Sequence, residues 1–106
     1  MKVSLHPEAR ADLRSIHQYI AAANRRRADS FLKELREKIA SLGRMADSYP
    51  LVHGYEGRGF RRRTHGNYRI FYRILDVGVI EVTHVMHMSR DHTPLLNTWR
   101  GNKEQG

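Results

Sequence analysis

Residues 59–74 read GFRRRTHGNYRIFYRI. Side chains of an extended chain alternate between two faces, so Tyr68, Ile70, Tyr72 and Ile74 share one face and Arg69, Phe71, Arg73 and Leu75 the other. His65-Gly66-Asn67 is a turn signal, which makes the segment a hairpin of strands Phe60–Thr64 and Tyr68–Leu75. In the first strand Phe60, Arg62 and Thr64 point one way, and Arg61 and Arg63 the other. A hairpin this apolar belongs in a sheet's core, yet it carries five arginines. A buried guanidinium without a partner is costly. These cations therefore reach solvent, a carboxylate or a ligand.

Downstream, Asp76-Val77-Gly78 turns the chain into a third strand, Val79–Met88. Alternation puts Val79, Glu81, Thr83, Val85 and His87 on one face and Ile80, Val82, His84, Met86 and Met88 on the other. Upstream, residues 44–59 contain one proline and three glycines and show no period, which predicts a loop with one extra turn. Before the loop run two helical stripes. Ala9, Leu13, Ile16 and Ile20 predict a helix from Pro7 to about Ala23. Ala28, Phe31, Leu32, Leu35, Ile39 and Leu42 predict another from Arg25 to Leu42, capped by Asn24 and stopped by Gly43. KVSLH at the start reads as a short strand. The order β-α-α-β-β-β is that of an α+β domain. A helical hairpin covers one face of a three-stranded antiparallel meander and leaves the opposite face open. The first strand joins beside a non-neighbour in sequence. The domain is expected to span residues 1–96, with residues 97–106 a disordered tail.

The 106 residues are one domain's worth. There is no cysteine, no apolar run long enough for a signal peptide and no run of eighteen apolar residues, so a cytoplasmic location is expected. Nineteen Lys and Arg against eleven Asp and Glu give a net charge of +8, and fifteen of the cations are arginine. Arginine grips phosphate and carboxylate in a fork, which points to a polyanionic partner; a GC-rich genome is the plainer source of the bias. No helical HxxxH or HExxH spacing is present. His84 and His87 point to opposite faces of a strand, and neither a metal nor a cofactor is expected.

Three segments in this order, LHPEARADLRSIHQYI (5–20), the arginine hairpin and VIEVTHVMHMSRD (79–91), give the chain a resemblance to the ParE branch of the ParE/RelE superfamily of bacterial toxin–antitoxin toxins. The resemblance covers residues 3–96. It implies a helical hairpin on a twisted antiparallel sheet, and a toxin neutralised by a ParD-type antitoxin in a hetero-oligomer. It implies two possible actions. ParE-type members stall DNA gyrase on cleaved DNA. RelE-type members are ribosome-dependent mRNA endoribonucleases.

On the gyrase reading no catalytic residue is needed. Arg61, Arg69, Arg73, His87 and Arg90 are then the target- or partner-binding surface, and Leu13, Ile16, Tyr19, Ile20 and Phe31 the antitoxin's. On the ribonuclease reading Arg69 and Arg90, with Arg61, clamp phosphate, His87 is the acid or base, and Tyr68 or Tyr72 stacks a base. That reading departs from the RelE pattern, because after Arg90 there is only Trp99 and no tyrosine. The family position matching Arg63 is small or apolar, which implies either a shifted hairpin register or an exposed edge. Plain structural roles compete throughout. Arg69 and Arg73 can pair across the hairpin with Glu81 and Asp76, His84 and both Met86 and Met88 can be core, and Arg25–Arg27 can be a solvated helix start. A non-catalytic nucleic-acid-binding module is a further alternative, without a helix-turn-helix, RRM or KH signature to promote it.

Overall fold

The computed structural model describes residues 1–76 and 78–99. Val77 of the predicted second turn, and residues 100–106 of the predicted tail, lie outside the described residues. The elements are β1 (Lys2–Leu5), α1 (Pro7–Ala21), α2 (Arg25–Met45), β2 (Arg61–His65), β3 (Tyr68–Ile74), β4 (Val79–His87) and α3 (Thr93–Asn97). Two 3-10 turns, Ala46–Ser48 and Glu56–Arg58, break the loop where one was expected. The four strands form one sheet in the order β1-β4-β3-β2. β1 runs parallel to β4, and the meander is antiparallel.

Local chemistry explains both helix starts. Pro7 occupies the first turn of α1, and His6 Nδ1 accepts the Glu8 N–H at 3.1 Å. Asn24 Oδ1 accepts the Arg27 N–H at 3.0 Å. The end of α2 differs from the prediction, because the helix runs through Gly43 to Met45. The glycine answers a tertiary demand instead. The N-terminal ammonium donates to the Gly43 carbonyl at 2.7 Å, and a Cβ on residue 43 would stand 2.7 Å from the Met1 carbonyl oxygen.

The helical hairpin covers one face of the sheet, burying Leu13, Ile16, Phe31, Leu35, Ile39 and Leu42 against Ile70, Tyr72, Ile80, Val82 and Val85. The faces of β4 are not those of simple alternation. Tyr72 pairs with Val82 but Phe71 pairs with His84, so Thr83 is an extra, bulged residue. Ile80 and Val82 therefore share the helical face with Val85 and His87, while His84 and Met86 turn to the other. Met88, expected in the core, follows the strand and is 39% exposed.

The second face is not left open. Val52, Phe60, Phe71, Met86, Leu96 and Trp99 form a separate apolar cluster there. Trp99 meets His6 and His84 edge-on, with ring centroids 4.3 and 5.0 Å away. Arg58 holds this segment down by donating to the carbonyls of Leu96, Asn97 and Trp99.

A polar network ties α2 to the hairpin. Arg27 donates to Glu34 at 2.8 Å, and His65 Nε2 lies 2.8 Å from the same carboxylate. The Arg27 hydrogen bond first, and that of His65 second, hold the Glu34 carboxyl at about 2 against an ordinary 4.5. A carboxylate whose pKa falls on folding lends stability that is complete above its unfolded value and is lost as pH falls through the folded one. We predict that the thermal midpoints of the wild type and Glu34→Gln differ at pH 6 and converge as pH falls from about 4.5 to about 2. Calorimetry across that window checks this; a constant gap between the two proteins overturns it.

Candidate functional site

The five residues expected at one surface, Arg61, Arg69, Arg73, His87 and Arg90, are divided between the two faces of the sheet and the segment after β4. Arg61 and Arg63 lie on the helical side of edge strand β2 and serve the fold. Arg61 donates to the Tyr49 carbonyl at 2.6 Å, and Arg63 donates to the Lys38 carbonyl at 2.9 Å and stacks over the Tyr49 ring. The edge position of Arg63 answers the question of its register. Arg69 sits opposite Thr64 and Met86 on the second face. Arg73 shares that face and pairs with Glu81 at 3.8 Å, the cross-strand bridge foreseen for it. His87 pairs with Tyr68 in the ladder and meets its ring edge-on at 5.2 Å, on the helical side. Arg69 and His87 therefore face opposite sides of the sheet.

His87 and Arg90 do converge with part of the predicted antitoxin surface. An open groove of about 830 Å³ is lined by Ile16, Tyr19 and Ile20 of α1, Phe31 of α2, Tyr68, His87 and Arg90. Ile16, Ile20 and Phe31 make its floor apolar. Tyr19 stands at its rim, 78% exposed, while Ile16 and Phe31 are largely covered. Leu13, on the same buried stripe, lines a second groove of about 720 Å³ on the other flank of α1, with Val3, Leu5, Leu32 and Ile39, and the rim of that groove carries Arg10, Arg14 and Arg36.

The first groove's polar groups have defined states. The Ser89 N–H donates to His87 Nδ1 at 3.1 Å. A backbone N–H can only donate, so the neutral ring carries its proton on Nε2 and offers a donor there. Burial raises the Tyr68 hydroxyl above its ordinary value, and the nearby Tyr19 adds to this. Asp12, not singled out in the sequence, is also in this groove. Its Oδ2 accepts the Val85 N–H at 2.9 Å. β1 ends before Pro7, so this outward N–H of β4 has no strand to pair with, and α1 supplies the acceptor. Burial pushes the Asp12 carboxyl up, against the Val85 hydrogen bond that lowers it. The sequence signal was an acid one turn before Ile16, beside the apolar stripe. Arg58 and His92 carried no signal of their own. Among the described residues no group of three or more His, Cys, Asp or Glu could hold a metal ion, and no helix is long and apolar enough to cross a membrane.

A family model described as ParE toxin of type II toxin-antitoxin system, parDE, matches residues 3–92. Among solved structures, the chain is similar to one from a chromosomal ParDE toxin–antitoxin system of P. aeruginosa, with a TM-score of 0.68 at 19% identity, covering 82% of this chain and 95% of that one. It is also similar to a chain of the RelBE2 toxin–antitoxin complex of Mycobacterium tuberculosis, with a TM-score of 0.60 at 24% identity, covering 81% and 95%. At these identities the likeness is one of fold. No curated protein matches the chain.

Proposed function

The chain belongs to the ParE toxin family of type II toxin–antitoxin systems, and from that premise we propose that it acts in the cytoplasm by binding and stalling DNA gyrase, and is held inactive by a ParD-type antitoxin seated in the groove beside Tyr19. The observation that carries this reading is the division of the cations. Phosphoryl transfer without a metal needs a cation and a proton donor within reach of one phosphate. Here Arg69 and His87 lie on opposite faces of the sheet. A groove with an apolar floor, an exposed tyrosine and the cations Arg27 and Arg90 is instead suited to an acidic amphipathic segment. The ribonuclease reading keeps His87, with its Nε2 donor, and Arg90 in one groove, and loses Arg69, which faces the other side of the sheet.

The test is direct. Purified protein is added to gyrase and supercoiled plasmid, and in parallel to programmed ribosomes. Trapped double-strand breaks with intact mRNA are expected. Cut mRNA with unbroken plasmid reverses the assignment.

A further inference from the structure

The segment after β4 lies across the second face and is fastened there at two places. Near Leu96 the ties are hydrogen bonds and an apolar side chain. Arg58 donates to the carbonyls of Leu96 and Asn97, the Tyr55 hydroxyl donates to Asn97 Oδ1 at 2.6 Å, and Leu96 itself is buried. At Trp99 the tie is different. Its ring meets His84 and His6, so two imidazoles flank one indole. His84 is 1% exposed. Its Nε2 lies 3.6 Å from Glu8 Oε2, and its Nδ1 is buried with no hydrogen-bond partner among the described residues.

That arrangement accepts one protonation state of the His84 ring and resists the other. In the neutral ring one nitrogen carries a proton and the other is a bare acceptor. A proton on Nε2 faces the Glu8 carboxylate and leaves Nδ1 as a lone pair. A second proton turns Nδ1 into a buried N–H without an acceptor and sets a charge beneath the indole, which is costly. Trp99 cannot relieve it, because its one polar side-chain atom, Nε1, is also a donor and is also buried without a partner. Burial pushes the imidazole below its ordinary 6.5; Glu8 of α1 works against burial, while His6, between β1 and α1, and Arg90, after β4, work with it. The flanking strands β1 and β3 bring the apolar Leu5 and Phe71, opposite Val82 and His84 in the ladder. With Trp99 lifted away, water reaches the ring and supplies the missing acceptor.

We propose that the segment Thr93–Trp99 is a strap released by a proton: when His84 takes one up, Trp99 leaves its seat and the second apolar cluster opens, while the helical core stays folded. The sign follows from linkage. A histidine held below its free value adds to the closed state a stability that is complete above that value and is lost as pH falls toward the held one. One proton is taken up per opening, so the open-to-closed ratio rises about tenfold for each pH unit below 6.5, until the seated ring itself titrates. Release uncovers Val52, Phe60, Phe71 and Met86. The strap is separate from the groove beside Tyr19 and does not depend on gyrase being the target, so a negative gyrase assay leaves it standing.

Trp99 is the only tryptophan of the chain, so its fluorescence reports the strap directly. The test is the emission maximum and acrylamide quenching of the whole protein from about pH 8 to about pH 5, the range in which a histidine changes charge. Far-UV circular dichroism of the same samples follows the helical hairpin. As pH falls below 6.5, quenching is expected to rise and emission to move to the red with a slope of one proton, while the dichroism holds. His84→Gln cannot take up the proton and is expected to keep the closed-state quenching throughout, whereas His6→Gln keeps the transition. If His84→Gln does not fold, NMR of the wild type carries the test, with the His84 ring and the Trp99 indole N–H changing at one common midpoint. Quenching that ignores pH, the same change in His84→Gln, a transition abolished by His6→Gln, separate NMR midpoints, or loss of dichroism in step with the fluorescence each overturn the strap.

Discussion

Replacing Tyr19 with alanine is expected to weaken antitoxin binding about thirtyfold and to leave the thermal midpoint nearly unchanged. Tyr19 is the most exposed large hydrophobic residue among those described, at 78%. It sits inside α1, where alanine is the better helix former. Its removal therefore falls among surface changes, within about 0.5 kcal/mol of stability. In an interface the same ring is a rigid anchor beside an apolar floor. Such tyrosines contribute about 2 kcal/mol or more when truncated, which is about thirtyfold in affinity. Phe31 lines the same groove but cannot be used this way. It is buried beneath His65, Tyr68 and Arg27, and truncating a buried phenylalanine costs about 3–5 kcal/mol of folding stability. Titration calorimetry of wild type and Tyr19→Ala with the antitoxin decides the matter. Unchanged affinity moves the antitoxin away from this groove, with the one on the far side of α1 as the next place to look.

Deleting Thr83 is expected to leave the fold standing with every face of β4 where it is, and Thr83→Val is tolerated as well. Thr83 is the extra residue of the bulge, and its hydroxyl donates to the Phe71 carbonyl at 3.3 Å. Valine keeps the extra residue and loses that bond, at about 1 kcal/mol. Deletion sets His84 directly after Val82, and strict alternation then keeps Ile80, Val82 and Val85 on the helical face and His84 and Met86 on the other. The damage comes instead if Thr83 stays and enters the regular ladder. With the Ile80 end held in place, Val85 would leave the helical core and His84 and Met86 would enter it. Losing burial at an aliphatic residue costs about 1.5–3 kcal/mol, and burying an imidazole without a partner adds about 1–3 kcal/mol. The sum approaches a small domain's whole stability of about 5–15 kcal/mol, which is what the bulge averts. Circular dichroism melts of the two variants provide the check. A deletion variant that does not fold means that the bulge does more than keep the two ends of β4 in phase.

That bulge also marks where the sequence stops being readable. The faces of β3 follow from alternation because nothing interrupts it. In β4 the run Val82-Thr83-His84-Val85-Met86 is compatible with either phase, and only pairing to Phe71 and Tyr72 chooses. The helical stripes were legible because Leu13, Ile16, Leu35 and Ile39 meet one common surface. Gly43 resembled a helix stop because a glycine required by a chain end 42 residues away looks the same as one required by its own backbone. The candidate site was legible in part. The apolar residues near Tyr19 could be named from periodicity, and most of them do line one groove. The arginines could be counted but not sorted, because the acceptors of Arg58 and Arg61, and one of those of Arg63, are backbone carbonyls that no side-chain pattern encodes.

The parallel pairing of β1 with β4 has a consequence in time. Lys2 finds its ladder partner at Val79, so the first strand made has no neighbour until the last has left the ribosome. At about 5–20 residues per second of synthesis, that wait is roughly 4–15 s. Until then the central strand of the sheet is missing, and with it one wall of the groove beside Tyr19. A nascent chain of this protein lacks a complete groove for most of its synthesis, and a co-translational partner would have to recognise the helical hairpin first.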